Sequence, residues 1–223
     1  SGLDKYTFSL NNITNFFNSF LKLDSKVLYS GLKDKSALIS NNAGFIGNIV
    51  ASALYWNPTR DTRKADGSYN VVGNNYLNPE QLQDAYTDYT NTNKIIASIS
   101  PTITITKDLK YKFLFGVEAS NSSRKASLAP SIQILDVAFN TYVGDGKVYY
   151  GQANVNNINH FNRTFEHTLS YNKDFSDNLN LDLIGGYAFY NYNSDGNSIT
   201  VKGFNPNNPG LLDNLSGGIP FKD

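Results

Sequence analysis

The feature that most constrains this chain is a strict period of two. Across 94–106, KIIASISPTITIT, Ile95, Ala97, Ile99, Pro101, Ile103 and Ile105 fall on one side, and Ser98, Ser100, Thr102, Thr104 and Thr106 on the other. After Lys107-Asp108-Leu109-Lys110 the alternation resumes, with Tyr111, Phe113, Phe115, Val117 and Ala119 set against Lys112, Gly116, Glu118 and Ser120. Helix faces recur every ~3.6 residues and would scatter this pattern, whereas successive strand side chains point to opposite faces. The two runs therefore predict one long β-hairpin. Pro101 lacks the N–H that a ladder needs, so a bulge or kink is expected there.

The alternation recurs on both sides of this hairpin. Tyr6, Phe8 and Leu10 alternate with Thr7, Ser9 and Asn11; after a link over 13–19, Leu21, Leu23, Val27 and Tyr29 oppose Lys22, Asp24 and Lys26. Later, Phe165, Leu169 and Tyr171 alternate with Thr164, Glu166, Thr168, Ser170 and Asn172. Across the link 174–178, Leu179, Leu181, Leu183, Tyr187 and Phe189 oppose Asn180, Asp182 and Gly186. The chain is thus predicted to be all-β, an antiparallel meander of about six long strands in three hairpins with short turns. No domain boundary interrupts residues 1–223.

The segments between hairpins, 36–93 and 121–160, far exceed the few residues that usually join elements, which marks them as functional or unstructured. In the first, Ile46, Ile49, Val50, Ala53 and Leu54 recur at helical spacing and Asn57-Pro58 stops the run, predicting a helix over 45–56. Asn78-Pro79-Glu80-Gln81 reads as the N-cap of a second helix, over 79–86, with Gln81 placed to close a capping box. Asp66-Gly67, Asp145-Gly146 and Asp195-Gly196 read as turns.

Composition narrows the function classes. The 19 Lys and Arg balance 19 Asp and Glu, which leaves no basic field to hold a nucleic acid. With 0 Cys there is no disulfide scaffold, thiolate metal site or cysteine nucleophile, and the 2 His, His160 and His167, leave little for a histidine cluster. The chain also has 0 Met, as expected of a processed product or an internal piece. Its 31 Asn suit turns and wet loops, while 15 Tyr and 14 Phe suit a pleated surface. Mean hydropathy is −0.38, and no apolar run approaches the ~18–20 residues of a membrane helix. A membrane β-strand needs only ~9–11 alternating residues, so hydropathy leaves a barrel open.

Alternation has two physical solutions. In a soluble sandwich the apolar face packs on a second sheet; in a transmembrane barrel it meets lipid while the polar face lines a wet lumen. Three features favour the barrel. The strands run about ten to thirteen residues, where sandwich strands run about five or six. Loops are short at one end and long at the other. Aromatics gather at the short turns: Phe16, Phe17 and Phe20; Tyr111, Phe113 and Phe115; Tyr171 and Phe175. On this reading Ile99, Ile103, Phe113, Phe115, Leu181 and Leu183 face lipid. Lys22, Asp24, Lys26, Thr102, Thr104, Glu118, Glu166 and Asp182 face the lumen.

The residues also carry a resemblance. The segment 53–69, ALYWNPTRDTRKADGSY, resembles the "NP…DGSY" stretch in an outer loop of SusC/RagA-type TonB-dependent outer-membrane transporters. The strand after Asn91, with Lys107-Asp108-Leu109-Lys110-Tyr111-Lys112-Phe113, is similar to that family's next hairpin. Residues 165–187, FEHTLSYNKDFSDNLNLDLIGGY, resemble its "E-x-T-L-x-Y…F…L-x-L-x-x-G-Y" strand pair, and the opening LDKYTFSLNNIT also fits. The matches run through nearly the whole chain in the family's order. The resemblance implies a TonB-energised importer of the Gram-negative outer membrane, with a plug inside a barrel of about 22 strands. Such importers take up oligosaccharides or peptides with a SusD-type surface lipoprotein as lid and need no cofactor. The resemblance also places 36–93 and 121–160 outside the cell. With no signal peptide, TonB box or plug in these residues, the chain is expected to be a central barrel segment.

Each candidate site has a plainer reading. His167 and Glu166 point to opposite strand faces with no third ligand near, so metal or acid/base chemistry is not expected. Asp145 and Asp195 beside glycine lack the spaced oxygens of a calcium loop and read as turns. Lys22, Asp24 and Lys26 either bind solute or form part of a solvated lattice. Tyr55, Trp56, Tyr69 and Tyr76 either stack on sugar rings or pack within the loop and against a lid. Two other classes stand beside the importer: a soluble carbohydrate-binding β-sandwich, and a passive porin or adhesin barrel. An enzyme is the weakest reading, because no nucleophile–base pair assembles.

Overall fold

The computed structural model describes residues 2–38, 48–72, 77–132, 142–144, 147–205, 207 and 210–221. Two strands open the chain, β1 (Gly2–Phe16) and β2 (Leu21–Lys35), followed by helices α1 (Ile49–Tyr55) and α2 (Pro79–Ala85). Strands β3 (Tyr86–Thr104) and β4 (Leu109–Leu128) form the second hairpin. The short β5 (Tyr142–Gly144) and β6 (Lys147–Tyr149) precede the third, β7 (Gln152–Ser176) with β8 (Leu179–Lys202), and β9 (Ile219–Phe221) closes the chain. The main sheet has the order β1-β2-β3-β4-β7-β8-β9, antiparallel throughout, and β5-β6 pair separately. This is the expected meander of long strands, with one short strand added at its edge.

The strands outrun the side-chain alternation that announced them. β3 begins at Tyr86, β4 ends at Leu128 and β7 begins at Gln152, so the connections are 36–85 and 129–151 rather than 36–93 and 121–160. A ladder needs only paired backbone groups, and beyond the apolar stretch Asn, Ser and Thr continue the pairing. Thr92 faces Ser122 across the ladder, their hydroxyls 2.9 Å apart. For the same reason Asp195-Gly196 is not a turn but lies inside β8, opposite Asn159 and Ile158. Asp145-Gly146 lies outside the described residues. Asp66-Gly67 does turn, with Gly67 at a φ of 82°.

Of the bulge or kink expected at Pro101, the bulge is absent. Register is the same on both sides, Ile99 opposite Phe115 and Thr102 opposite Lys112. Ile105 N–H donates to the Leu109 carbonyl, and such pairs recur every second residue, which makes Phe113 O the acceptor that proline cannot serve. The Ser100 hydroxyl donates to that carbonyl instead, at 3.1 Å. The bulge instead lies at the end of β7, between Asp174 and Ser176.

Both helices form within the first connection. Asn78 caps α2, its side chain accepting from Glu80 N (2.9 Å) and Gln81 N (3.1 Å). Asn48 caps α1 through Val50 N and Ala51 N. α1 is shorter than 45–56, and 45–47 lie outside the described residues. Only part of its predicted apolar stripe is its buried face, and Ile46 lies outside the described residues. Ile49 packs inward beside buried Ala51 and Ser52, whereas Val50, Ala53 and Leu54 are exposed, Leu54 at 81%. Two small cores form at this end of the sheet. Leu38, Leu82, Leu128 and Ile132 make one; Ala153, Val201 and Phe204 make the other, with Leu211, Leu212 and Leu215 packed against it.

Candidate functional site

Directly opposed residues of a sheet share a face, so register sorts the long strands into two surfaces. Lys22 pairs with Thr102 and Thr102 with Lys112; Asp24 pairs with Ser100 and Lys26 with Ser98. Glu118 pairs with Asn162, Leu114 with Glu166 and Asn172 with Asp182. All eight residues expected on one surface, Lys22, Asp24, Lys26, Thr102, Thr104, Glu118, Glu166 and Asp182, therefore share it. Two of its carboxylates have partners that periodicity did not single out. Lys94 Nζ lies 2.5 Å from Glu118 Oε1, and the Tyr190 hydroxyl donates to Glu166 Oε1 at 2.8 Å. One carboxylate oxygen of Asp24 is buried with no hydrogen-bond partner among the described residues, and Lys22 and Lys26 flank Asp24 along its strand. Large aliphatic side chains, Leu28, Leu32, Ile96, Leu114, Ile158 and Ile184 among them, interrupt this largely polar surface.

The opposite surface carries Ile99, Ile103, Phe113, Phe115, Leu181 and Leu183 together, as expected. Among the described residues no second sheet covers it; Phe8 is 61% exposed, Leu183 55% and Tyr187 68%. Among its polar intruders, His167 and Arg163 are partnered. His167 Nδ1 meets the Tyr111 hydroxyl at 2.6 Å, and Arg163 lies over the Phe161 ring at 5.6 Å.

This apolar band crosses the strands obliquely. Followed along register from β8, Tyr187 and Phe189 lead to Thr14 and Asn12 on β1, both polar. Asn193 and Asp195, both polar, lead to Phe8 and Tyr6. The band thus slides by about six residues, or ~20 Å of strand, over the ~24 Å spanned by five strand spacings. A band level in a membrane would then meet strands inclined by about 40°, within the ~35–45° of membrane barrels.

At the long-loop end the sequence builds a compact module. Residues 61–70 fold into a small hairpin closed by the Arg63–Tyr69 bridge, and Arg63 fastens it to α2. Arg63 Nε lies 2.6 Å from Glu80 Oε1, a second guanidinium nitrogen lies 2.9 Å from Asp84 Oδ2, and the cation sits 4.3 Å over the Tyr69 ring. The Tyr69 hydroxyl donates to Asp84 at 2.6 Å, which holds its proton more firmly than usual. The Thr62 hydroxyl and Arg63 hold the Glu80 carboxyl below its ordinary value. The Ser68 hydroxyl and N–H do the same for Asp66. Trp56 Nε1 donates to the Arg60 carbonyl at 2.8 Å. Of the four loop aromatics, Tyr69 and Trp56 are therefore engaged inside the module. Tyr55 and Trp56 line a shallow depression of 230 Å³ with Asn57, Arg60 and Val72, and Tyr76 lies outside the described residues.

Beneath the module, Asp88 is only 2% exposed and receives two Arg124 nitrogens, the closer at 2.7 Å. The Tyr86 hydroxyl donates to the same carboxylate, and burial followed by this bond pushes its pKa up to about 12. Hydrophobic periodicity gave no sign of this cluster, because its partners lie 36 residues apart on neighbouring strands.

No family model and no curated protein matches the chain. Solved structures do. A chain in the structure of the RagAB peptide importer in the 'closed-closed' state superposes with a TM-score of 0.68 at 18% identity, over 97% of this chain and 23% of that one. A chain of the same importer in the 'open-open' state gives 0.64 at 17% identity, over 90% of this chain and 22% of that one. The chain thus spans under a quarter of the length of these neighbours. At such identity the likeness is one of fold: this chain is an open antiparallel β-meander with two short helices, folded like part of a transporter chain.

Proposed function

We propose that this chain is a segment of a SusC/RagA-type, TonB-dependent importer of the Gram-negative outer membrane. It takes up peptides or oligosaccharides together with a SusD-type surface lipoprotein. The oblique apolar band supports this reading most directly. A soluble sandwich has no use for an uncovered apolar face, and an inclined band suits strands tilted in a membrane. The polar face, with its bonded Lys94–Glu118 and Tyr190–Glu166 pairs, then lines the lumen. The module built on Arg63 stands outside the cell, presenting Val50, Leu54 and Tyr55 toward the lipoprotein or the substrate. The peptide cargo named for the neighbouring importer puts peptides first.

In the complete transporter, uptake of a labelled peptide and a labelled oligosaccharide is compared in cells with and without TonB. Uptake of one of them should require TonB. Removing 61–75 should impair uptake or capture of the lipoprotein while the barrel still assembles. Uptake that persists without TonB would make the protein a passive pore. Unchanged uptake and capture after the deletion would deny the module its role.

A further inference from the structure

Where the apolar band ends on the long-loop side, an asparagine ladder begins. Gly31, Asn93, Asn121, Asn159 and Asp195 are successive register partners across five strands. Asn121 Nδ2 donates to Asn159 Oδ1 at 2.5 Å, and Asn159 Nδ2 to Asp195 Oδ2 at 2.9 Å. The Tyr29 hydroxyl donates to Asn93 Oδ1 at 2.9 Å. One step further, Asn157 donates to Asn197 at 3.0 Å. At Gly31 the Tyr6 ring closes over the backbone, 2.7 Å from where a Cβ would stand.

A depression of 430 Å³ straddles this boundary on the outward face. Tyr29, Ile95, Ala119 and Phe161 form its apolar floor on one side, and Asn93, Asn121 and Asn159 its amide wall on the other. Ala119 makes the notch, being the small residue between Ile95 and Phe161 in register. Beyond the ladder on the same face stand the exposed Lys33, Lys35 and Lys125. Lys35 lies over Tyr89 at 5.7 Å, and Lys33 and Lys125 have no ion-pair partner among the described residues, although Asp4 stands opposite Lys33 in register.

We propose that this surface binds a phosphorylated glycolipid of the surrounding leaflet, with an acyl chain in the notch, sugar hydroxyls on the asparagines and phosphate on the lysines. The inference rests on the membrane reading above. An occupant must be apolar below, rich in hydrogen-bonding groups in the middle and anionic above. Distance selects among lipids. Lys33 lies four residues beyond Tyr29 and Lys125 six beyond Ala119, roughly 10–15 Å above the apolar edge for strands inclined by ~40°. A phospholipid headgroup layer is only about 5–8 Å deep, whereas linked sugars bearing phosphate reach that height. Amides that accept and donate also suit hydroxyls better than they suit a bare phosphate.

The test uses the complete transporter in nanodiscs of phosphatidylcholine doped with lipid A, dephosphorylated lipid A or phosphatidylglycerol. Retained lipid is read by native mass spectrometry. Lipid A should be retained preferentially. Lys33→Gln and Lys125→Gln should each weaken retention by about fivefold, the effect of one lysine near an anionic surface. Ala119→Leu, which fills the notch while keeping the strand apolar, should abolish the preference without changing thermal stability. A nitroxide lipid probe must also quench a fluorophore at position 115. Quenching without lipid A preference, or equal retention of lipid A and phosphatidylglycerol, overturns the inference alone. Absence of quenching overturns the membrane reading beneath it.

Discussion

The two ends of the sheet are held together by different physics. Toward the short turns, large side chains such as Phe8, Leu183 and Tyr187 stand uncovered, and order comes from backbone ladders between neighbouring strands. Toward the long connections, every buried hydrophobic residue of the described chain is gathered: Leu38, Ala51, Leu82, Leu128, Ile132, Ala153, Val201 and Phe204. That end looks like a water-soluble protein, with apolar side chains packed inward and charges paired above them. The turn end reverses the rule, and on the proposed reading an apolar medium covers it. On that reading one chain carries two solvents in its side-chain pattern, and the asparagine ladder marks the border.

The contrast is sharpest for leucine truncation. Leu82→Ala, at 0% exposure in the centre of the first small core, should cost about 3 kcal/mol and release α2 to hydrogen exchange. Leu183→Ala, on the uncovered face, should cost less than about 1 kcal/mol by the same measurement in lipid. Equal costs would erase the distinction between the ends. Arg124→Ala comes next. It leaves buried Asp88 without its guanidinium and should loosen the start of β3 by about 2 kcal/mol, discounted because Arg124 is half exposed. Exchange in the apolar band should not change.

A pH effect belongs to the loop end as well. The Tyr86 pKa is raised from 10.0 to about 12, so the folded state binds the proton more tightly than the unfolded state. The associated stability is fully present below pH 10 and is lost as pH rises through about 12. Tyr86→Phe should flatten that part of a denaturant-midpoint profile, and an unchanged alkaline slope would contradict the assignment. The smallest effect is expected at Ser100→Ala. It leaves the Phe113 carbonyl without the donor that stands in for proline, at about 1 kcal/mol, read as faster exchange of neighbouring amides of β4.

What was legible in the sequence follows the same division. The period of two is an outcome of local geometry, so strands, faces and the shared surface of all eight predicted polar residues were readable from 94–119 and its two echoes. Strand ends were not, because Asn, Ser and Thr carry a ladder as well as they carry a loop. The asparagine ladder was visible in outline, since Asn91, Asn93, Asn157, Asn159, Asn191 and Asn193 repeat at spacing two. Read as wet-loop composition, that spacing was missed. The orientation of α1 was hidden for another reason. In a helix of 7 residues, packing beneath Ile49 and Ser52 turns the rest of the predicted stripe, Val50, Ala53 and Leu54, outward. The Arg63 and Arg124 clusters join residues far apart in sequence, where no local period reaches.

The central claim is that the apolar face meets lipid and the polar face meets water. It is tested most directly by single cysteines at positions 103 and 104, adjacent in β3 and on opposite faces. In the complete protein in cells, a membrane-impermeant thiol reagent should label Thr104→Cys and leave Ile103→Cys unlabelled, while a lipid-soluble reagent should reverse the order. Equal labelling of both positions by the impermeant reagent would contradict the account.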